Sequence, residues 1–217
     1  MSTVALIDYG SGNLRSAEKA LIRATATLPH ACEVVVTDDP QVLARADRLM
    51  LPGVGAFAAC MAALKGRPGV IEAITEAVQT RGAPFLGVCV GMQLLATLGL
   101  EFGAHAGLGW ISGEVRRLEP TTPAAKVPHV GWNDVDATPH PLFQGLIKAS
   151  GEQPQMYFTH SFAFHPDLPH DALATTDHGG VFVSAVAKAN VAGVQFHPEK
   201  SQGAGLQLIA NFLEWRP

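Results

Sequence analysis

Through the first half of the chain, short unbroken apolar runs alternate with stretches in which apolar side chains recur every three or four positions. The runs at 4–7, 34–36, 49–51 and 85–88 are bounded by Gly, Pro and Asp, the pattern of parallel strands buried on both faces. Between them, Asn13 precedes Leu14, Ala17, Ala20, Leu21 and Ala24, which predicts an amphipathic helix with Asn13 as its cap. Val70, Ile71, Ile74, Ala77 and Val78 mark a second helix. Strands alternating with helices predict an α/β fold with a mostly parallel central sheet flanked by helices on both faces. From Val127 onward the pattern changes to strand-like pieces at 155–159, 173–175, 181–186 and 191–197, separated by Pro, His, Asp and Gly turns. These predict an antiparallel extension of the sheet in the C-terminal half, followed by a last helix at 205–214. No linker, low-complexity tract or internal repeat divides the halves, so the expectation is a single domain over 1–217.

Composition narrows the function. The 217 residues are 47% hydrophobic, enough to bury one substantial core. A net charge of −4 with scattered Lys and Arg offers no basic stripe for nucleic acid. The N-terminus turns apolar without a basic leader, and no run reaches the roughly 20 apolar residues of a membrane span, so the expectation is a cytoplasmic chain with no membrane partner. Cys32, Cys60 and Cys89 are odd in number and irregular in spacing, which fits neither a disulfide framework nor a thiolate zinc site. Cys32 and Cys60 are read as small buried apolar residues.

Cys89 is different. It stands in Gly87-Val88-Cys89-Val90-Gly91-Met92-Gln93, a Gly-x-Cys-x-Gly turn between an apolar strand and a helical run. This is the thiol version of a nucleophile elbow. The sharp turn forces the central residue into a strained backbone, and Gly87 and Gly91 give the clearance that flanking side chains would deny. A thiol at a helix N-terminus meets the positive end of the dipole, which favours thiolate. The N–H of Val90 can stabilise an oxyanion there.

A base is supplied by Gln195-Phe196-His197-Pro198-Glu199. In extended geometry His197 and Glu199 project to one face, so Glu199 can hold one imidazole nitrogen while the other takes the thiol proton. A strand-end His beside a solvated Glu is the bland alternative, and its joint occurrence with the elbow argues against that. A metal site is not expected, because no His-x-x-x-His or Cys-x-x-Cys grouping accompanies the nine histidines. A second loop, Leu51-Pro52-Gly53-Val54-Gly55, follows an earlier strand. C-terminal strand ends of a parallel sheet share one edge, so backbone N–H groups of Gly53, Val54 and Gly55 are candidates to complete the oxyanion hole. An ordinary tight turn is the alternative.

With these pieces assembled the chain resembles the class I (triad) glutamine amidotransferases, through 87–93 and His197-Pro198-Glu199. Within that class it is similar to the glutaminase subunits of imidazole glycerol phosphate synthases. That similarity rests on Ile7-Asp8-Tyr9-Gly10-Ser11-Gly12-Asn13-Leu14-Arg15-Ser16, the 51–57 loop, Pro128-His129-Val130-Gly131-Trp132-Asn133, Tyr157-Phe158-Thr159-His160-Ser161 and 196–202. The resemblance implies hydrolysis of L-glutamine without a cofactor and a heterodimer with a (β/α)8-barrel cyclase subunit, to which the ammonia passes. It implies Cys89 as nucleophile, His197 as base and then acid, and Glu199 as orienter. Gln93, Ser161 and Phe162 would border bound glutamine, while Asn13, Trp132, Tyr157 and Lys200 fall in motifs near the interface or ammonia passage.

Some positions depart from the family pattern. Val88 and Val90 replace bulkier apolar residues without loss of character. Phe162 stands where a tyrosine is common and has no hydroxyl, so any glutamine contact there must come from backbone. The 101–107 stretch is less acidic than expected. The competing readings are an amidotransferase subunit serving anthranilate or guanylate synthesis, a stand-alone γ-glutamyl or ester hydrolase, and a partner-binding module without catalysis. The Asp8-Tyr9-Gly10 start and the 129–133 motif argue against the first, and the intact Cys89, His197 and Glu199 against the last.

Overall fold

The computed structural model describes residues 2–10, 13–147 and 151–217, so Ser11 and Gly12 of the N-terminal motif lie outside the described residues. The first half reads β1 (Ser2–Ile7), α1 (Leu14–Thr25), β2 (Cys32–Thr37), α2 (Pro40–Arg45), β3 (Arg48–Gly53), α3 (Phe57–Lys65), α4 (Val70–Thr75), β4 (Phe85–Cys89) and α5 (Val90–Gln93). The second half adds β5 (Leu98–Gly99), β6 (His105–Ala106), β7 (Gly113–Arg117), β8 (His129–Asp134), β9 (Asp136–Ala137), β10 (Gln155–His160), β11 (Phe162–Pro166), β12 (Ala172–Asp177), β13 (Val181–Lys188), β14 (Val191–Val194) and α6 (Gln202–Glu214).

The main sheet runs β2-β1-β3-β4-β14-β13-β11-β7-β5-β6, with β12 attached at β13 and β9 at β12. β2, β1, β3, β4 and β14 pair in parallel. β13 turns antiparallel on β14, and the C-terminal extension grows from it. The predicted architecture is therefore present, with two differences: β8 and β10 leave the main sheet to form their own antiparallel pair, and β5 joins β7 in parallel. From β1 the chain steps one way to β2 and then back to β3. With right-handed crossovers this places α1 and α2 on opposite faces. The contacts agree, since α1 packs with α6 and α2 with α4. α1 buries Ala17, Ala20, Leu21 and Ala24, the predicted stripe. Asn13, however, does not cap it with its side chain and sits in the left-handed region at φ 78°. The second helix continues past α4 as a π turn over Glu76–Thr80.

Parallel alignment brings the C-terminal ends of β1, β3, β4 and β14 to one edge, and the packing there is backbone on backbone. A Cβ on Gly91 would lie 1.9 Å from the Leu51 carbonyl oxygen, and one on Gly87 would lie 2.5 Å from the Gly91 carbonyl oxygen. Neither strand can yield without shifting the sheet. Gly203, in the first turn of α6, has nothing within 4 Å of its Cβ position. Gly91→Ala is expected to lower stability by roughly 1–3 kcal/mol, whereas Gly203→Ala should be neutral or gain up to about 1 kcal/mol. Urea unfolding of the two variants checks this, and a Gly91→Ala midpoint equal to wild type would contradict the packing.

Candidate active site

β4 is buried along its whole length and ends at Cys89, which holds φ 54° and ψ −112°. This is a conformation that L residues rarely adopt. The helical run expected after it is a single turn, Val90–Gln93. The dipole contribution therefore reduces to the local N–H groups of that turn. The Cys89 sulfur is 4.0 Å from the Thr159 carbonyl oxygen and 3.6 Å from Gln195 Nε2.

β14 stops at Val194, short of the expected 197. The chain past it is anchored by His197 N–H donating to the Tyr157 carbonyl at 2.8 Å. Pro198 then opens a 3-10 turn over Pro198–Lys200, since its fixed φ suits a first helical position. His197 and Glu199 therefore meet across this turn, not along an extended strand. His197 Nδ1 donates to Glu199 Oε1 at 2.8 Å, with both side chains about 4% exposed. Burial opposes a charge on His197, but hydrogen bonds to Cys89 and Glu199 and the charges of both raise its pKa to about 10. The sulfur and the carboxylate that flank the ring thus favour its protonated form. Asn13 Nδ2 also donates to Glu199 Oε1, at 2.5 Å. A carboxylate is a stronger acceptor than a neutral group, and the Asn13 side chain is spent on it instead of on the helix end.

Gly53 lies opposite Cys89 in the β3–β4 register, and a Cβ there would lie 2.5 Å from Gly91 N. Gly53 is thus fixed by packing, while the left-handed position in this loop belongs to Gly55, at φ 100°. The carbonyls around it are held: Tyr9 Oη donates to Pro52 O at 2.8 Å and the Cys60 thiol to Val54 O at 3.2 Å. Cys60 is buried as expected, but its thiol has a specific acceptor.

These groups border a cleft of about 400 Å³ whose lining includes Val54, Gly55, Cys89, Val90 and His197, a volume suited to a small molecule. Gln93, Ser161 and Phe162 line it too. The Phe162 carbonyl already accepts from Gln93 Nε2 at 3.0 Å and from His160 Nδ1 at 2.8 Å. Both lone pairs are occupied, so that carbonyl is not available to a ligand. Gln93 spends its second N–H on Gln195 Oε1 at 2.9 Å, which leaves its carbonyl oxygen for the cleft. Glu101 is a lining residue that the sequence did not single out within the atypical 101–107 stretch. Its Oε2 accepts from Phe57 N–H at 2.7 Å, which ties the stretch to the start of α3.

Trp132 and Tyr157 pack edge to face with centroids 6.0 Å apart, and Lys200 Nζ lies 5.8 Å from the Tyr157 ring. Trp132 is 45% exposed. Three of the four residues assigned to an interface thus form one partly exposed cluster, and Asn13 sits with Glu199 instead. His160 also lines the cleft; its Nε2 is 3.1 Å from His129 Nδ1, and Asn133 Nδ2 lies 3.3 Å from His129 Nε2. Burial, with the neighbouring histidines adding to it, pushes His129 down to about 3. Burial likewise pushes His160 down to about 4, against its hydrogen bond to the Phe162 carbonyl.

The chain belongs to the class-I glutamine amidotransferase family, whose profile matches residues 5–215. Among its relatives it is 59% identical to the imidazole glycerol phosphate synthase subunit HisH of Caulobacter vibrioides, with 100% of both chains covered. It is 52% identical to the subunit of that name from Rhodospirillum rubrum, with 99% of each covered. Among solved structures, PurLQS from Thermotoga maritima superposes with a TM-score of 0.71 at 20% identity over 98% of each chain. A structure described as glutamine amidotransferase gives 0.71 at 19% identity over 97% of each chain. At such identities these two establish the fold. No described helix is long and apolar enough to cross a membrane.

The neutral His129–His160 pair has a consequence for stability. Both residues have pKa values below the ordinary 6.5 in the fold, about 3 for His129 and about 4 for His160, so between 6.5 and about 3 the unfolded chain binds more protons than the native one. Stability from this pair is complete above 6.5 and is lost as pH falls through that window. His197 has the opposite sign, and its contribution is lost only as pH rises toward about 10. The melting temperature should fall between pH 6.5 and 4, and less steeply in His160→Gln than in wild type. Identical slopes in the two proteins would show that His160 is not held neutral.

Proposed function

We propose that this protein is the glutaminase subunit of an imidazole glycerol phosphate synthase. It hydrolyses L-glutamine to glutamate and ammonia and passes the ammonia to a cyclase subunit in histidine biosynthesis, in the cytoplasm and without a cofactor. The observation that carries the chemistry is the arrangement of Cys89 on its strained turn beside a His197 held by Glu199. Identity of 59% along the whole chain to a HisH subunit supports the acceptor pathway.

In this reading Cys89 is the nucleophile and enters as thiolate beside the His197 imidazolium. The sulfur attacks the carboxamide carbon of glutamine. As the C–S bond forms, the carbonyl π pair moves onto oxygen, where backbone N–H groups of Val90 and the 53–55 segment receive it. His197 gives its proton to the departing nitrogen, the C–N bond breaks, and ammonia and a thioester result. The now neutral His197 takes a proton from water, whose oxygen attacks the thioester carbon. The C–S bond breaks with its pair on sulfur, and glutamate leaves. Glu199 keeps the imidazole in one orientation throughout, and Asn13 steadies Glu199. Glutamine lies in the cleft with its α-ammonium toward Glu101, while Gln93, Ser161 and Phe162 shape the pocket. The cyclase, a (β/α)8 barrel in a heterodimer with this chain, covers the Trp132, Tyr157 and Lys200 cluster.

Ammonia released without an acceptor is wasted, so turnover is expected to depend on the partner. A resting form would lack an oxyanion donor from the 53–55 segment, and docking would turn a peptide of that segment inward. One such donor is worth about a hundred- to a thousandfold in rate. Ammonia release from glutamine, measured on the chain alone and with the cyclase and its nucleotide ligand, should rise by about that factor. Cys89→Ala should release none, while its complex still uses free ammonium. A basal kcat equal to that of the ligand-bound complex would move the reading to a stand-alone hydrolase, and turnover in Cys89→Ala would remove the proposed nucleophile.

A further inference from the structure

We infer that Gln195 is a further catalytic residue of this site: its side-chain N–H is held against the Cys89 sulfur, where it stabilises the thiolate before attack and again as the sulfur leaves the thioester. The inference rests on the nucleophilic role of Cys89 proposed above.

Gln195 is completely buried between Val194 and Phe196, which are also fully buried. An amide in such a place costs free energy unless its polar atoms are paired, and an apolar residue would fill a strand end more cheaply. Its pairing is specific at both ends. Nε2 lies 3.6 Å from Cys89 Sγ, and Oε1 accepts from Gln93 Nε2 at 2.9 Å.

The direction of the amide follows from a carbonyl that can only accept. Phe162 O receives Gln93 Nε2 at 3.0 Å, which fixes the Gln93 amide with its nitrogen toward both Phe162 and Gln195. Turning the Gln195 amide over would set nitrogen against nitrogen, so its oxygen faces Gln93 and its N–H faces sulfur. The same Phe162 oxygen accepts a hydrogen bond from His160 Nδ1–H at 2.8 Å. His160 Nε2 is then the acceptor for His129 Nδ1, whose other nitrogen accepts from Asn133 Nδ2. A directed chain of hydrogen bonds from Asn133 through the two histidines therefore pins the carbonyl that sets the donor at the nucleophile.

The two forms of Cys89 have different partners. As a thiol its proton points to the Thr159 carbonyl, 4.0 Å away, whereas as a thiolate it accepts from Gln195 as well as from His197. A hydrogen bond to the charged form raises the thiolate fraction but lowers the intrinsic nucleophilicity of each thiolate. This yields a signature that loss of packing does not share. Removing the donor slows Cys89 below its thiol pKa and leaves it as fast or faster above it.

The test is the pH dependence of Cys89 alkylation by iodoacetamide in the full chain, with Cys89→Ala as the background from Cys32 and Cys60. In Gln195→Met the midpoint should rise by about one pH unit, the rate well below the wild-type midpoint should fall about three- to tenfold, and the plateau at high pH should stay level or rise by up to about threefold. Gln195→Leu, which fills much of the same volume without any polar group, should shift the midpoint at least as far. An unmoved midpoint in a folded variant, or a uniform fall at every pH, overturns the inference. In the unmutated protein the side-chain amide protons of Gln195 should shift with the Cys89 titration by NMR, and their indifference to it also overturns the inference whether or not the variants fold. Glutamine turnover in Cys89→Ala separates this from failure of the underlying reading: if turnover is lost there while the Gln195 profiles match wild type, only the present inference falls.

Discussion

The Leu51 carbonyl oxygen fills the place where a side chain on Gly91 would begin, with only 1.9 Å left for a Cβ, and the geometry of the site follows from that contact. It seats the turn after Cys89 on the end of β3 and brings Gly53 into register with Cys89. The backbones of two loops that are far apart in sequence thereby meet beside Cys89. It also leaves Cys89 with a positive φ, so the residue is lifted out of the sheet by a backbone that the surrounding strands over-determine. The antiparallel half completes the surroundings: β10 supplies the carbonyls of Tyr157 and Thr159, which hold His197 N–H and face the thiol.

Charge is sorted within a small volume. A sulfur and a carboxylate favour the positive form of one histidine, while burial favours the neutral form of two others close by. Burying a charge is tolerable only when its partners are hydrogen-bonded in turn. Glu199 meets this condition by accepting from both His197 and Asn13. Neutral His129 and His160 add no second positive charge beside His197, and they spend their protons in one direction along the chain that ends at Phe162.

The parallel half of the fold was legible because strands buried on both faces are written as uninterrupted apolar runs, and the 4–7, 49–51 and 85–88 runs all became strands. The elbow was legible because Gly87 and Gly91 stand where no side chain fits. What escaped the sequence depended on distant partners. Asn13 has the composition of a helix cap, but its acceptor lies 186 residues away. The His129–His160 contact is created by the β8–β10 register, in which the two stand opposite each other. Gln195 carried a visible signal, a polar residue inside an apolar run. The direction of its amide, however, is set by a carbonyl on another strand. The 3-10 turn at Pro198 was hidden for a smaller reason: His-Pro-Glu satisfies the same side-chain pairing in an extended strand and in a tight turn.

The claim on which the account rests is that Cys89 carries the glutamyl group between the release of ammonia and the release of glutamate. Rapid acid quench of the protein turning over isotopically labelled glutamine, followed by mass spectrometry of its peptides, tests this directly. One glutamyl thioester is expected on the peptide that contains Cys89, removed by hydroxylamine, and none on the peptides of Cys32 or Cys60. Steady ammonia release with no adduct on Cys89, or an adduct at another residue, would contradict it.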